Sequence, residues 1–572
     1  METSTRRVAL LCVIAAALGL LGGGAAWVLL KLIALLTNLA LFGRVGWRLP
    51  PFSTLHPGPW LIVVACAGAF VVALLALWAP LIRGHGIPEA MESILVRQSR
   101  ISPRAAVAKP LSAAIAIGTG GPFGAEGPII VTGGALGSLL GQVIPVSPSE
   151  RKILLASGAA AGMAATFGTP LAAVVLALEL LVFEFSTRAF IPLVVASAVA
   201  AGVHSALFGS GPLFAVPTHD YAGLDKLPFY VLVGLCCGLV AAIVSKGLFV
   251  IEAGFRRLPV GEFWHPVIGA AAFALVGLFV PRALGVGYDV IGQILGGKLA
   301  LTTLAILAGA KLVAWWVALA SGTSGGTLAP LLLIGGAVGG LLGGGAEHLV
   351  PSLGITPGAV ALVAMAAVFG AATRATFASI VFLFELTGDY RIILPLMLAT
   401  VLASLVARAL SEESIMTEKL TRRGLRVRSD LEVDPLRTTS VADVMTRQVE
   451  TLPSDAVVAE ARRRLAAGGH GAFPLVDADG ALTGIVARGD LLRWEDSDGH
   501  AVTDIASPDV VTASPDEPVL AALHRMLEED VEHLPVVADG RLVGICTRTD
   551  ILRVRERQLE HERAQRGWAG VL

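Results

Sequence analysis

The chain has 572 residues, 55% of them hydrophobic and 15% charged, and its mean hydropathy is +0.75. Soluble domains carry about 25% charged residues, so most of this chain belongs inside a lipid bilayer. The net charge of −1 gives no basis for nucleic-acid binding, and the five cysteines show no metal spacing. About half of the charge falls in the last ~160 residues, which divides the chain into a membrane part and a soluble tail.

Arg6 and Arg7 precede an apolar stretch over residues 8–42. A signal peptide carries only about 7–15 apolar residues before its cleavage site, so this stretch predicts one long, retained membrane helix. The two arginines favour a cytoplasmic N-terminus. Further spans are expected at 59–80, 190–209, 228–251, 264–281, 303–320 and 391–410. Between them lie shorter apolar pieces at 105–118, 128–144, 153–167, 170–185, 328–344, 357–370 and 375–387, broken by glycine and proline. Broken helices at membrane depth are tolerated where they are buried in protein or line a cavity.

One break carries a carboxylate. Gly118–Gly121 and Pro122–Gly124 lead through Ala125 to Glu126, Gly127 and Pro128, and an apolar run follows. A charge at membrane depth is expensive and marks a functional site by default. Glycines let backbone amides approach a ligand, and a helix start offers unpaired N–H groups that suit an anion. Glu126 can then act as a tethered anion that competes with a free one. Gly84–Glu89 and Ser321–Pro330 are two further glycine-rich segments ahead of Pro-marked helix starts.

An internal repeat is also visible. Met163–Gly168 leads to Glu179 and Leu180, and Met365–Gly370 leads to Glu385 and Leu386. Two broken-helix units predict a pseudo-symmetric transporter fold with its site at the repeat interface. Glu179 and Glu385 read as structural groups near helix ends. From about Ser411 the chain turns polar, and two units repeat, each reading helix, strand, turn, strand, helix.

Taken together, the segments resemble the CLC chloride channel and transporter family over essentially the whole chain. Family members show G-S-G-I-P, G-K/R-E-G-P and G-x-F-x-P in this order, and here the three read Gly84–Pro88, Gly124–Pro128 and Gly326–Pro330. Lys109 stands upstream of the second motif, as in many members. The resemblance implies that Glu126 gates the path, that the backbone amides of Thr327 and Leu328 hold a central anion, and that His85, Gly86, Ile87, Gly127 and Met416 border the anion sites. It also implies a homodimer. The tail resembles a pair of CBS domains, a nucleotide-sensing module. Gly544–Asp550 fits G-x-x-S/T-x-x-D, which makes Thr547 and Asp550 candidates for an adenine nucleotide; in the first unit Asp490 is present, but Ala487 replaces the hydroxyl. No cofactor is otherwise expected.

Several positions depart from the family pattern. His85 stands where the anion-binding serine is usual, and an imidazole can be neutral or cationic near neutral pH. Met416 replaces a tyrosine and donates nothing. Leu328 replaces a phenylalanine, and Ala125 replaces a basic residue. Leu180 falls where many antiporters carry the internal proton-relay glutamate. Glu184 is a candidate substitute relay, with a headgroup-level surface acid as the other reading.

The expected fold is an all-α polytopic membrane domain with two related broken-helix repeats, followed by a soluble α+β CBS pair. Its expected divisions are 1–411 for the membrane domain, 412–436 for a charged linker, and 437–495 and 496–572 for the two CBS units. The expected function is a membrane anion pathway, chloride by family default, either a channel or weakly proton-coupled. An anion/proton antiporter, with chloride or another anion, stays open. A cation-coupled solute symporter is the remote alternative, and no nucleophile–base pair or HExxH motif suggests an enzyme. The expected place is a prokaryotic plasma membrane, with several passes and both termini cytoplasmic.

Overall fold

The structure is a computed structural model; it describes the chain except residues 1, 184, 215–222, 423–435, 437–438, 469–470, 494–498, 555 and 557–572. The chain divides into two units, Met1–Asp430 and Leu431–Leu572.

The described part of the first unit is helical. It opens with α1 (Glu2–Phe42) and α2 (Trp60–Trp78), then α3 (Ile87–Val96) and α4 (Pro103–Gly118). The first repeat follows with α5 (Glu126–Val143), α6 (Pro148–Phe167), α7 (Pro170–Ala177) and α8 (Thr187–Phe208). Next come α9 (Leu227–Arg256), α10 (His265–Phe279), α11 (Tyr288–Leu295) and α12 (Leu301–Ala320). The second repeat comprises α13 (Leu328–Leu349), α14 (Pro357–Thr373), α15 (Thr376–Thr387) and α16 (Ile393–Leu410), and α17 (Glu418–Arg422) closes the unit.

Local chemistry sets many of these boundaries. Proline occupies the first turn of α3, α4, α6, α7, α9, α10 and α14, where its missing N–H costs nothing. At α6 a capping box adds to this, with Glu150 N–H donating to Ser147 Oγ at 3.2 Å and Ser147 N–H to Glu150 Oε2 at 2.9 Å. The 41 residues of α1 make a helix roughly 60 Å long, twice the hydrocarbon thickness, so it is long enough to cross at a tilt. Trp60 and Trp78 stand exposed at the two ends of α2, as interfacial anchors do.

Among the described residues, seven helices are long and apolar enough to cross a membrane. Six coincide with expected spans, and one exchange corrects the sequence reading. The 264–281 span is only the 15-residue α10, because Pro281 ends it and starts a 3₁₀ turn. The supposed fragment 328–344 is the 22-residue α13, most of it buried. Its glycines do not break it; they let it lie close against α14.

In the repeats, α5 packs on α6 as α13 packs on α14, and α7 packs on α15. The helix of α7 continues as a π turn over Leu178–Val182 that ends at Phe183 with φ 59°. Arg374 caps the C-terminus of α14 and donates to the carbonyls of Ser411 and Glu412. Residues expected to begin the charged linker belong to the membrane unit, since Ile415, Met416 and Leu420 are buried in its core.

The second unit has the expected paired layout. In its first half, helix Val458–Ala467 precedes β2 (Ala472–Val476) and β3 (Leu482–Ala487), which pair antiparallel; β1 (Leu452–Pro453) joins β2 in parallel. In its second half, helix Val519–Glu528 precedes the antiparallel pair β4 (His533–Ala538) and β5 (Arg541–Thr547). A bridge between Ala481 and Arg541 joins the halves.

Candidate functional site

The three glycine-rich loops meet. Gly124 N–H donates to Gly326 C=O at 3.1 Å, and Gly326 N–H returns to Gly124 C=O at 2.9 Å. Gly84 bridges to Ser324 in parallel. Their spacing excludes side chains at two points: a Cβ on Gly127 would lie 2.0 Å from the His85 carbonyl oxygen, and one on Gly124 would lie 1.7 Å from Glu126 Oε2. α4 ties the loops together. Lys109 Nζ donates to the carbonyls of Ile82 and Gly84, both at 2.8 Å, and Ser112 Oγ donates to Ser324 Oγ at 3.0 Å.

Glu126 is the first residue of α5 and is fully buried. Its carboxylate lies over Gly124 and beside Gly326, just ahead of α13. Thr327 caps α13 and Leu328 is its first residue, so their N–H groups have no intrahelical acceptor. The carboxylate is thus placed beside the starts of two helices, both of which favour negative charge. Tyr288 OH donates to Glu126 Oε1 at 2.8 Å, while Oε2 has no hydrogen-bond partner among the described residues.

The other proposed anion contacts divide. Gly86 N–H is taken by the Glu89 carboxylate at 2.6 Å, in the capping box that starts α3. His85 is buried and its Nδ1 has no partner among the described residues. It borders a chamber of about 10 Å³, room for one water, with Ile415, Glu418 and Lys419. Met416 is fully buried, with its N–H held by Ser414 Oγ at 3.2 Å. Ile87 is buried at the start of α3. Leu180 is buried within the π turn, and Glu184 lies outside the described residues.

Two cavities flank the loops. The larger, about 1110 Å³, is lined by Trp78 at the end of α2, by Glu89 and by Arg256, Lys419 and Arg422. The smaller, about 510 Å³, is lined by Lys31, Arg48, His204, Val286 and Tyr288. His265 at the start of α10 lines the larger cavity and Val286, just past the turn that follows α10, lines the smaller, so the cavities lie toward opposite ends of that helix.

Sequence reasoning missed Tyr288, Lys311 and Glu89. A signal for the first two was present. Gly285–Asp289 repeats the glycine spacing of Gly84–Glu89, and Lys311 precedes Leu328 by the same distance as Lys109 precedes Glu126. The structure bears this out: Lys311 Nζ donates to Gly285 C=O at 2.7 Å, the counterpart of Lys109 on Gly84.

In the tail, Thr547 N–H and Oγ1 both donate to Asp550 Oδ2, at 2.9 and 2.7 Å, and Ala487 N–H donates to Asp490 Oδ2 at 2.8 Å. The nucleotide candidates Thr547 and Asp550 are therefore engaged with each other at a helix start. Burial pushes the Cys546 thiol beside them up to about 12, so it stays a neutral core group.

Residues 67–408 match the voltage gated chloride channel family, and residues 441–497 and 502–557 each match the CBS domain. The chain is 31% identical over 393 residues to the "H(+)/Cl(-) exchange transporter ClcA" of Vibrio campbellii, covering 66% of this chain and 83% of that protein. It is 28% identical over 573 residues to the "Chloride channel protein CLC-f" of Arabidopsis thaliana, covering 86% of this chain and 72% of that protein. Among solved structures, that of a slow cyanobacterial Cl−/H+ antiporter aligns with a TM-score of 0.64 at 25% identity, covering 73% of this chain and 98% of that one. With the motif loops joined around a buried glutamate and the family match running over residues 67–408, the chain belongs to the voltage-gated chloride channel (CLC) family and carries a C-terminal pair of CBS domains.

Proposed function

We propose that the protein moves chloride or a similar anion across a membrane along a path gated by Glu126, with weak or no proton coupling. One observation carries this reading: a fully buried carboxylate sits over a glycine notch at the starts of α5 and α13. A seated carboxylate takes the place of an anion at these helix starts, and its protonation or departure frees that place. Thr327, Leu328 and Gly127 then supply backbone donors to the central ion, and His85 borders the path nearer the larger cavity. Weak coupling follows from Leu180, whose side chain cannot carry a proton from that side.

Stoichiometric anion/proton exchange is the second reading, favoured by the relatives named as exchangers. The discriminating experiment reconstitutes the full chain in liposomes and records anion and proton fluxes together. Anion flux down its gradient with little accompanying proton movement supports the first reading. Uphill proton movement driven by a chloride gradient overturns it in favour of exchange.

The N-terminus and α17 belong on the side of the larger cavity, which we assign to the cytoplasm; the membrane is a prokaryotic plasma membrane, and the working unit is a homodimer with one path per subunit. The tail binds an adenine nucleotide at Thr547 and Asp550, with Asp490 in the equivalent place of the first unit. A thermal shift on adding ATP, lost in Asp550→Ala, supports that assignment, and no shift contradicts it.

A further inference from the structure

The geometry points to Tyr288 as a positioning residue that latches Glu126 in its seated place from the side of the smaller cavity. This rests on the reading of Glu126 as the gate and adds to it the group that sets how readily the gate leaves.

The phenol O–H donates to Glu126 Oε1 at 2.8 Å, and no other side chain among the described residues donates to this carboxylate. A hydrogen bond to an ionised acceptor is about twice as strong as a neutral one, so the contact favours the seated, charged carboxylate over a protonated one. The ring is held in place: Phe167 and Phe214 meet it edge-on with centroids 6.2 and 6.3 Å away. Its backbone is held as well, by Lys311 Nζ on Gly285 C=O at 2.7 Å and by Gly285 N–H on Gly120 C=O at 3.3 Å. Tyr288 also lines the smaller cavity, so the phenol stands between open space and the buried carboxylate.

The internal repeat isolates the role of the hydroxyl. Tyr288 occupies in Gly285–Asp289 the place of Ile87 in Gly84–Glu89. Isoleucine fills the same first helical position of α3 with no donor, so packing at this point of the fold does not itself require a phenol. The donor is present only in the loop that faces Glu126.

Other charged groups act on the same place. Lys311 on α12 holds the Gly285 carbonyl of the same loop at 2.7 Å. Asp289 on α11 has Oδ2 without a partner among the described residues. On the cavity side stand His204 of α8, Lys31 of α1 and Arg48. All of these remain when only the phenol oxygen is removed, so Tyr288→Phe isolates the latch.

The experiment measures chloride flux from liposomes holding the full chain, against pH on the side of the smaller cavity, for wild type, Tyr288→Phe, Glu126→Gln and the double variant. Loss of a hydrogen bond to a charged group predicts roughly tenfold more flux at neutral pH in Tyr288→Phe. Less acid is then needed to release Glu126, so the flux profile moves to higher pH by about one unit. In the Glu126→Gln background the same change adds nothing. Wild-type flux and profile in Tyr288→Phe overturn the latch, as does an equal effect of Tyr288→Phe in both backgrounds. A Glu126→Gln variant with unchanged flux removes the gate reading itself, a different result from failure of the latch. Should Tyr288→Phe not fold, 3-fluorotyrosine at position 288 keeps the packing and donates more strongly. It predicts lower flux than wild type, and unchanged or higher flux contradicts the proposal.

Discussion

Glu179 and Glu385 each hold the helix start of the opposite repeat: Glu179 accepts from Phe377 and Ala378 N–H at 3.1 and 2.8 Å, and Glu385 from Leu171 and Ala172 N–H at 3.0 and 2.7 Å. Four orphan amides of α7 and α15 are satisfied by two carboxylates that exchange places across the repeat. This supports the structural reading of both glutamates and ties α7 to α15 across the repeat. Glu179→Ala and Glu385→Ala should each lower stability by about 1–3 kcal/mol, with similar size for the two. Thermal unfolding in detergent checks this, and a loss at one position only would break the symmetry argument.

Gly124 has no room for a side chain, because its Cβ would lie 1.7 Å from Glu126 Oε2. Gly124→Ala should therefore displace the carboxylate and raise anion flux, as a weaker form of Glu126 removal. Flux measured beside Glu126→Ala checks this; a folded Gly124→Ala variant with wild-type flux and pH profile would show that the carboxylate does not rest in that notch.

His85 lines a chamber the size of one water together with Lys419, and its Nδ1 has no hydrogen-bond partner among the described residues. His85→Ser should change the ratio of chloride to nitrate flux by about threefold or more, the scale expected when one hydrogen-bond donor to an anion is exchanged. An unchanged ratio would show that the imidazole does not meet the permeating ion.

In the tail, burial holds the His533 imidazole below the usual histidine range, despite the nearby Glu532 and Asp550 carboxylates. The folded state therefore binds its proton less readily than the unfolded chain. Stability contributed by the neutral ring is complete above the unfolded value near 6.5 and falls as pH drops below it. Amide exchange in β4 of the full protein should accelerate from pH 7 to pH 5.5 beyond the intrinsic chemical rate, and His533→Gln should flatten that change. An unaltered pH response in His533→Gln would contradict the assignment.

The motif loops, the repeat and the tandem tail were legible because each rests on local chemistry: glycine where backbones touch, proline at helix starts, and a carboxylate where lipid forbids one. Helix length was less legible. α13 is rich in glycine, which reads as a break in isolation but serves close packing against α14. Tyr288 was missed because its role depends on contact with Glu126, which lies 162 residues away in the chain. Its loop was marked by glycine spacing, yet a tyrosine beside an apolar run carries no signal of its partner. The fate of Gly86 N–H was equally hidden, since Glu89 reads as an ordinary helix-start acid until it is seen turned back onto that amide.

The most direct test of the central claim is chloride flux through Glu126→Gln in liposomes, measured across pH beside wild type. A glutamine keeps the size of the side chain and removes its charge. The account predicts higher flux than wild type at neutral pH and loss of its pH dependence. A folded Glu126→Gln protein that passes no chloride, or that keeps the wild-type pH profile, would contradict the role of Glu126 as a tethered anion.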